Sequence, residues 1–281
     1  ADRPMGFCSV LPAVSGEIRD LTIENIETSV YWAYGRIDIK NCRMAGSGYG
    51  FVGLAAWAEG GNISNCRFET SVGGKGCFLP TASDVVISNC EFIGWGGGVS
   101  AVSGARNIVI ESCAFDRSVR AVAFSWQSSG SVRDCQMTRM QEFGIYLYDR
   151  CDVEVARVSM DSWNRGLYVV ASKLTGTDIV IENTGVESLL ACCNSIITIS
   201  NSQFIPRAGL AVRCEARWNT PSTLDLSGNY WGTTDPQAIR DLIWDGNDQP
   251  NINCTVQFEP FLGGPLPTES VSWGGVKVLF R

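Results

Sequence analysis

Apolar and polar residues alternate along this chain in very short stretches. Segments such as Gly144–Tyr148 change character at every residue, which is the period of a β-strand with one buried face. A helical period is confined to a short stretch that Pro236 opens and that runs to about Trp244, in which Ile239, Leu242 and Ile243 are the apolar positions. The pattern therefore predicts a chain built almost entirely from short strands.

A six-residue motif of the form Ile-x-Asn-Cys-x-Phe recurs along the sequence. Clear copies begin at Ile39, Ile63, Ile87, Ile110 and Val132, and weaker copies begin at Ile23, Val155, Ile181, Ile199 and Leu226. Most steps between copies are 22 to 24 residues long. A second motif, a small residue followed by alternating apolar residues, lies between the copies, as in Gly166-Leu167-Tyr168-Val169.

Each repeat thus contains three short β segments, and such segments cannot bury a face alone. Stacking one repeat on the next gives a continuous core, so the sequence predicts a solenoid of about ten turns, or rungs. A leucine-rich repeat has a similar period, but its Leu-x-x-Leu-x-Leu pattern and its helices are missing here. We predict an all-β parallel solenoid.

The repeat resembles that of the parallel β-helix, pectate-lyase-like proteins over about residues 6–262. The resemblance implies a right-handed parallel β-helix in which turn asparagines stack as a ladder and bond each other through their amides. The matching positions are Asn25, Asn41, Asn65, Asn89, Asn183 and Asn201.

The chain has 12 cysteines, and five of them share one column of the repeat. These five are Cys42, Cys66, Cys90, Cys113 and Cys135, and the column continues through Val158, Thr184 and Ser202. Stacked strands lie about 4.8 Å apart with parallel side chains, a poor geometry for disulfides, so we interpret the column as buried free thiols. Outside the column, a pair among Cys8, Cys77, Cys151, Cys192, Cys193, Cys214 and Cys254 could be oxidised, but the sequence does not choose it.

The chain divides into three parts. Residues 1–262 form the β-helix, of which about 229–262 resemble the end cap of exported bacterial β-helix proteins. The turn Asp245–Asp248 is read as a simple turn, with calcium binding as the alternative. Residues 263–270 have the composition of a linker. Residues 271–281 form an apolar tail that either packs on its own domain or adds a strand to a neighbouring subunit through Trp273, Val276, Val278, Leu279 and Phe280.

Charge and composition restrict the partners. The net charge is −7, which argues against nucleic acid. No run of 18 apolar residues appears, so no membrane span is expected. The absence of histidine excludes a histidine general base, a Ser-His-Asp triad and a histidine-ligated metal, and we expect no cofactor.

Catalytic signatures of the known β-helix enzymes are missing. The Asp-Asp pair with Gly-His-Gly, the Arg-x-Pro-x-x-Arg pattern and the Asp-Pro-His motif do not occur. Asp149 and Asp161 are weak candidates for a carboxylate pair. Arg150 is a weak candidate for an eliminating base, with Lys173 and Arg213 as alternatives. A sugar-binding face would use Tyr146, Tyr148, Tyr168 and Arg213.

These observations predict a secreted or cell-surface, non-catalytic structural protein, of bacterial type, whose partners are copies of itself joined through the terminal segments. The chain begins Ala1-Asp2 without Met, which fits processing after export. The alternative is a protein that binds or degrades a polysaccharide. A trimeric phage-type adhesin is a third hypothesis, although no trimerisation signal is present.

Overall fold

The computed structural model describes residues 5–9, 15–24, 28–46, 52–57, 59–70, 74–94, 96–215 and 221–267. These ranges contain one short helix, α1 (Pro236–Asp241), and otherwise strands. The strands are β1 (Met5–Ser9), β2 (Gly16–Arg19), β3 (Thr22–Glu24), β4 (Thr28–Tyr34), β5 (Ile37–Lys40), β6 (Arg43–Gly46), β7 (Val52–Trp57), β8 (Glu59–Ser64), β9 (Arg67–Thr70), β10 (Lys75–Pro80), β11 (Ser83–Ser88), β12 (Glu91–Gly94), β13 (Gly97–Val102), β14 (Ile108–Glu111), β15 (Ala114–Asp116), β16 (Arg120–Ser125), β17 (Ser129–Arg133), β18 (Gln136–Met140), β19 (Phe143–Tyr148), β20 (Asp152–Ser162), β21 (Arg165–Val170), β22 (Lys173–Glu182), β23 (Glu187–Cys192), β24 (Ile196–Ser200), β25 (Gln203–Ile205), β26 (Leu210–Glu215), β27 (Ser222–Asp225), β28 (Ile243–Trp244) and β29 (Cys254–Gln257).

The strands form two parallel sheets that enclose one core. Sheet A contains eleven described strands in the order β1-β4-β7-β10-β13-β16-β19-β21-β23-β26-β28. The other eighteen form sheet B, which is bent into two columns, because each rung contributes one strand before the turn and one after it. β20 and β22 run through this bend and join the columns. The prediction of an all-β parallel solenoid is confirmed.

Alternation within each strand builds the core. In β19, Ile145 and Leu147 are fully buried, while Tyr146 between them points to the other side of the sheet. In sheet B the aromatic position of the motif stacks from rung to rung. The Phe68 and Phe92 ring centroids lie 4.8 Å apart, and those of Phe92 and Phe115 lie 4.9 Å apart. Both spacings match the distance between neighbouring strands, so each ring lies on the next.

The glycines at the second position of β10 and β13 face this stack. A Cβ atom at Gly98 would lie 2.6 Å from the Phe115 ring and 2.4 Å from the carbonyl oxygen of Ala121. A Cβ atom at Gly76 would lie 2.4 Å from the Phe92 ring. The second motif therefore needs a small residue at this position, because the aromatic residue of the first motif occupies the space that a side chain would take.

The strand pairing corrects two copies of the repeat. Ile18, not Ile23, pairs with Ile39, so Ile23 belongs to the following column opposite Met44. Likewise Gly176 pairs with both Val155 and Ile199, which displaces Ile181 from its predicted place.

Ile181 lies instead in the aromatic column, between Met160 and Phe204. The cysteine column accordingly passes through Ile179 rather than the predicted Thr184. A Cβ atom at Gly176 would lie 2.6 Å from Cδ1 of Ile179, so the larger residue in the cysteine column takes the space of the missing Ile side chain.

The predicted asparagine ladder is present only in fragments. Asn65 Nδ2 donates to Asn41 Oδ1 at 3.3 Å, and Asn41 Nδ2 donates to Asp20 Oδ1 at 3.0 Å. The turn is not buried, since Asn41 and Asn89 are exposed. All described members have a positive φ near 50°, a conformation that asparagine tolerates better than most residues.

Two predicted members of that ladder need separate mention. Asn183 lies outside the column, because Asp178 pairs with the level of Asn201 and accepts a hydrogen bond from its amide. Asn25 lies outside the described residues.

The five column cysteines are free and buried, as predicted. Each thiol donates to a backbone carbonyl two residues earlier, as Cys113 does to Glu111 at 3.2 Å. Burial raises the pKa of Cys90, Cys113 and Cys135 well above the ordinary thiol value. These three thiols are therefore neutral and act as small apolar side chains.

Four of the cysteines outside the column form disulfides. Cys214 in β26 is bonded to Cys254 in β29, which ties sheet A to the last strand of sheet B. Cys192 is bonded to its neighbour Cys193. Cys77 and Cys151 are free and buried, and the side chain of Cys8 lies outside the described residues.

The helix that Pro236 opens is shorter than predicted. α1 ends at Asp241 rather than near Trp244, because Ile243 and Trp244 form β28 and pair with β26. Asp235 caps the helix by accepting from the Gln237 amide at 3.0 Å. Within the described residues, no helix is long and apolar enough to cross a membrane.

The turn after β28 is held by its own buried carboxylate. Asp245 is fully buried and accepts from Arg240 at 2.7 Å and from the backbone amides of Asn247 and Val256, each at 2.9 Å. Gly246 donates to the carbonyl of Cys254 at 2.7 Å. These bonds occupy the Asp245 carboxylate, which supports the reading of residues 245–248 as a structural turn.

Candidate functional site

Aromatic side chains gather on the outer surface of sheet A, on the opposite side of the sheet from the core. They are Phe143, Tyr146 and Tyr148 of β19 and Tyr168 of β21, and we call them the aromatic face. Tyr146 and Tyr168 are paired in register, so their rings stack with centroids 5.3 Å apart. The three tyrosines predicted as ligand-binding residues are thus brought together.

A cation completes the packing of this face. The Arg120 guanidinium lies 4.6 Å from the Tyr146 ring centroid and 3.2 Å from a carboxylate oxygen of Glu142. Arg120 belongs to β16 and Tyr168 to β21, which flank β19 on opposite sides, so both faces of the Tyr146 ring are covered. Burial raises the pKa of Tyr146, which keeps its phenol protonated at neutral pH.

Arg213, the fourth predicted ligand-binding residue, lies on the same surface two strands beyond Tyr168. Leu190 separates them, because Tyr168 pairs with Leu190 and Leu190 pairs with Arg213. Arg213 lies 3.6 Å from Glu187 and 3.0 Å from Glu215. The surface is continuous, but the arginine does not contact the tyrosines.

Glu187 is the most deeply placed charge on this surface. Its side chain is 2% exposed, and it is bonded by Arg165 and Arg213 from the two neighbouring strands. A buried carboxylate with two guanidinium partners is well satisfied, so its position is structural. It fixes the two arginines at the edge of the aromatic face.

The structure does not bring the catalytic candidates together. Asp149 follows the last residue of β19, whereas Asp161 lies near the end of β20, before the turn that leads into β21. The two carboxylates therefore lie at opposite ends of the six-residue strands of sheet A, about 20 Å apart at 3.3 Å per residue. Glycoside hydrolysis requires about 5–10 Å.

The cationic candidates are engaged elsewhere. Arg150 is bonded to the adjacent Asp149 at 3.0 Å, and Lys173 is bonded to Asp152 at 3.1 Å on sheet B. Among the described residues, no group of three or more cysteines and carboxylates is placed to hold a metal ion. The two predicted catalytic carboxylates, Asp149 and Asp161, are therefore not placed to act as a pair.

Two exposed tryptophans flank the aromatic face, and sequence reasoning missed both. Trp126 follows β16 in the turn at one end of the sheet A strands and is 51% exposed. Trp163 precedes β21 at the other end and is 58% exposed. Both lie in turns, where no period distinguishes them. Their signal is a large apolar residue among polar turn neighbours.

Stacked parallel sheets around one core define this chain as a parallel β-solenoid. The sequence matches the family described as the right handed beta helix region over residues 10–157 and 52–220. The protein therefore belongs to the right-handed β-helix family. A search of curated proteins and a search of solved structures each returned no match. The family defines the fold and leaves the ligand open.

The predicted assembly residues cannot be placed on this structure. Trp273, Val276, Val278, Leu279 and Phe280 lie outside the described residues. Joining of subunits through the tail therefore stays a prediction. Electron microscopy of the protein beside a version truncated after Gly264 would test it.

Proposed function

We propose that this protein is a non-catalytic, extracellular β-solenoid that binds a polysaccharide on the outer surface of sheet A. The observation that carries the proposal is the aromatic face itself. Four rings lie on the solvent side of a sheet whose core side is already filled by Ile145, Leu147 and their equivalents. The rings are therefore not required to build the core.

Aromatic rings and phenol hydroxyls suit a sugar ligand. Pyranose rings present apolar C–H faces and a rim of hydroxyls, so they bind surfaces that combine rings with hydrogen-bonding groups. The aromatic face offers the Tyr148 ring, which is 38% exposed, and the edges of Tyr146 and Tyr168. Arg120 and Arg165 lie beside them as donors.

The disulfides support an extracellular location. Cys214 and Cys254 are oxidised, and such bonds persist in oxidising compartments. The free thiols do not conflict with export, because those described are buried and burial shields them from oxidants.

Native gel electrophoresis through embedded polysaccharides tests the proposal. The gels would contain hydroxyethylcellulose, a galactomannan, a β-1,3-glucan, polygalacturonate or alginate, beside a gel without polymer. We expect retardation in at least one of them. Tyr148→Ala and Tyr168→Ala should each reduce the retardation.

The matched control is Lys173→Ala, which removes a half-exposed side chain from sheet B. It should leave the relative mobility unchanged. If the folded protein migrates freely in every gel, the proposed function is wrong. Equal retardation of all variants would place the binding surface elsewhere.

A further inference from the structure

We infer that the ligand is a neutral polysaccharide and that it runs along the strands of sheet A from Trp163 at one end to Trp126 at the other, the two tryptophans holding it by stacking. This inference rests on the proposed function and names its ligand class and its contact residues. Three observations carry it: the covered faces of the tyrosine rings, the exposure of the tryptophans and the pairing of the arginine charges.

The tyrosines alone offer little ring surface. Arg120 and Tyr168 cover the two faces of Tyr146, and Tyr146 and Leu190 flank Tyr168 on both sides. A sugar that stacks on a ring needs an open face. Trp126 and Trp163, more than half exposed, are the largest open aromatic side chains among the described residues.

The position of Trp126 is unusual within its own column of turns. The equivalent turn residues in the described rungs around it are Thr81, Ser103, Asp149, Ala171 and Cys193, all with positive φ and all small or short. Trp126 has the same conformation, with φ of 53°, and a large side chain that adds nothing to the core. Its amide donates to Tyr148 O at 2.8 Å, which places it directly beside the aromatic face.

Trp163 marks the opposite edge. It precedes β21 by one turn residue, and its amide donates to Met140 O at 2.9 Å. The next rung adds the exposed Val186 beside it, since the Val186 amide donates to Asn164. The strands between the two tryptophans are six residues long, so the path between these edges is about 20 Å, the length of a short oligosaccharide.

The arginines around the aromatic face carry paired charges, and the Lys75 ammonium two strands from Arg120 lies 4.2 Å from the Phe78 ring. Four arginines of this region are each paired with a carboxylate: Arg120 with Glu142, Arg150 with Asp149, Arg165 with Glu187, and Arg213 with Glu215. A polyuronate carries one negative charge per sugar and would need unpaired cations. It would also meet a chain whose net charge is −7. A neutral glycan meets neither obstacle.

The test compares neutral and acidic polymers in the same affinity gels at low and high salt. We expect binding to hydroxyethylcellulose, galactomannan or β-1,3-glucan that does not change with salt, and none to polygalacturonate or alginate. Trp126→Ala and Trp163→Ala should each weaken binding by about tenfold or more, the loss typical of an anchoring aromatic residue. The matched control is Ile196→Ala, because Ile196 is also 51% exposed but lies on sheet B.

The possible results separate the ligand class and the binding path from the proposed function itself. Salt-sensitive binding to polygalacturonate or alginate would overturn the neutral ligand while leaving the proposed function intact. Neutral binding that survives both tryptophan substitutions would overturn the path along the strands. Free migration in all gels would remove the proposed function and this inference together.

Discussion

The outer surfaces of the two sheets are built on different principles. On sheet B, ion pairs join charges of opposite sign both within a strand and between neighbouring strands. Arg67 contacts Glu69 and Glu91 at 2.6 Å each, and Arg157 contacts Asp134 at 2.6 Å. On sheet A, rings replace these pairs between β19 and β21. In-register stacking places equivalent positions side by side, so like charges without a partner would repel each other. Ion pairs relieve this repulsion on sheet B. Aromatic rings avoid it on sheet A but expose apolar surface to water.

The difference teaches where to look for function. Ion pairs on sheet B satisfy the solenoid's need for a solvated, non-repelling surface, and they are individually weak. Aromatic residues on sheet A satisfy no such need. Substitutions in the core, at the buried charge and in the thiol column test how strongly each sheet contributes to the stability of the solenoid.

The largest effect should come from the contact between the sheets. Gly98→Val places a branched side chain within 2.6 Å of the Phe115 ring and the Ala121 carbonyl. We expect a loss of about 3 kcal/mol or more in the free energy of unfolding, measured by urea denaturation. Gly97→Ala is the matched control, because a Cβ atom there meets nothing closer than 3.8 Å. Similar stability of the two variants would contradict the packing described here.

The second effect separates the two surfaces directly. Glu187→Gln on sheet A leaves Arg165 and Arg213 without their shared carboxylate in a nearly buried position. We expect a loss of about 2–3 kcal/mol. Asp134→Asn on sheet B breaks the ion pair between Asp134 and Arg157, two side chains that are each about half exposed. It should lower the free energy of unfolding by less than about 1 kcal/mol. Equal losses in urea titrations would remove the distinction between the surfaces.

The third effect concerns pH and belongs to the cysteine column of sheet B. Burial raises the pKa of Cys90 and Cys113, so above pH 9 the unfolded chain releases protons that the folded chain retains. Stability is therefore complete below the ordinary thiol pKa and falls as pH rises, by about 1.4 kcal/mol per thiol at pH 10.

A variant with Cys90→Ala and Cys113→Ala should lose less stability than the parent between pH 7 and pH 10. Urea midpoints at the two pH values give the comparison. An identical alkaline loss in both proteins would show that these thiols do not set the pH response.

The fold could be predicted because the repeat motif reports directly which side chains face inward. The register of two rungs could not. The anchor position of this rung is Gly176, which lacks the apolar side chain of the motif. Ile181, two columns further on, fits the motif better and is therefore the anchor that the sequence predicts. Only the contact between Gly176 and Ile179 explains the exchange.

The side chains that form the candidate site could be predicted in part. Tyr146, Tyr148 and Tyr168 alternate within strands, and alternation assigns their side of the sheet. Trp126 and Trp163 lie in turns, whose conformation depends on hydrogen bonds to neighbouring rungs and leaves no period in the sequence. The pairing of Arg165 and Arg213 with one carboxylate likewise depends on register across three strands.

The Asp245 turn covers part of the outer edge of β29. The Cys254 carbonyl and the Val256 amide point away from β27, and Gly246 and Asp245 already bond them. A further rung laid on this side of β29 would have to displace both bonds. β29, the last described strand, thus has two groups of its outer edge already bonded within the chain, and these two groups are not free to pair with another strand.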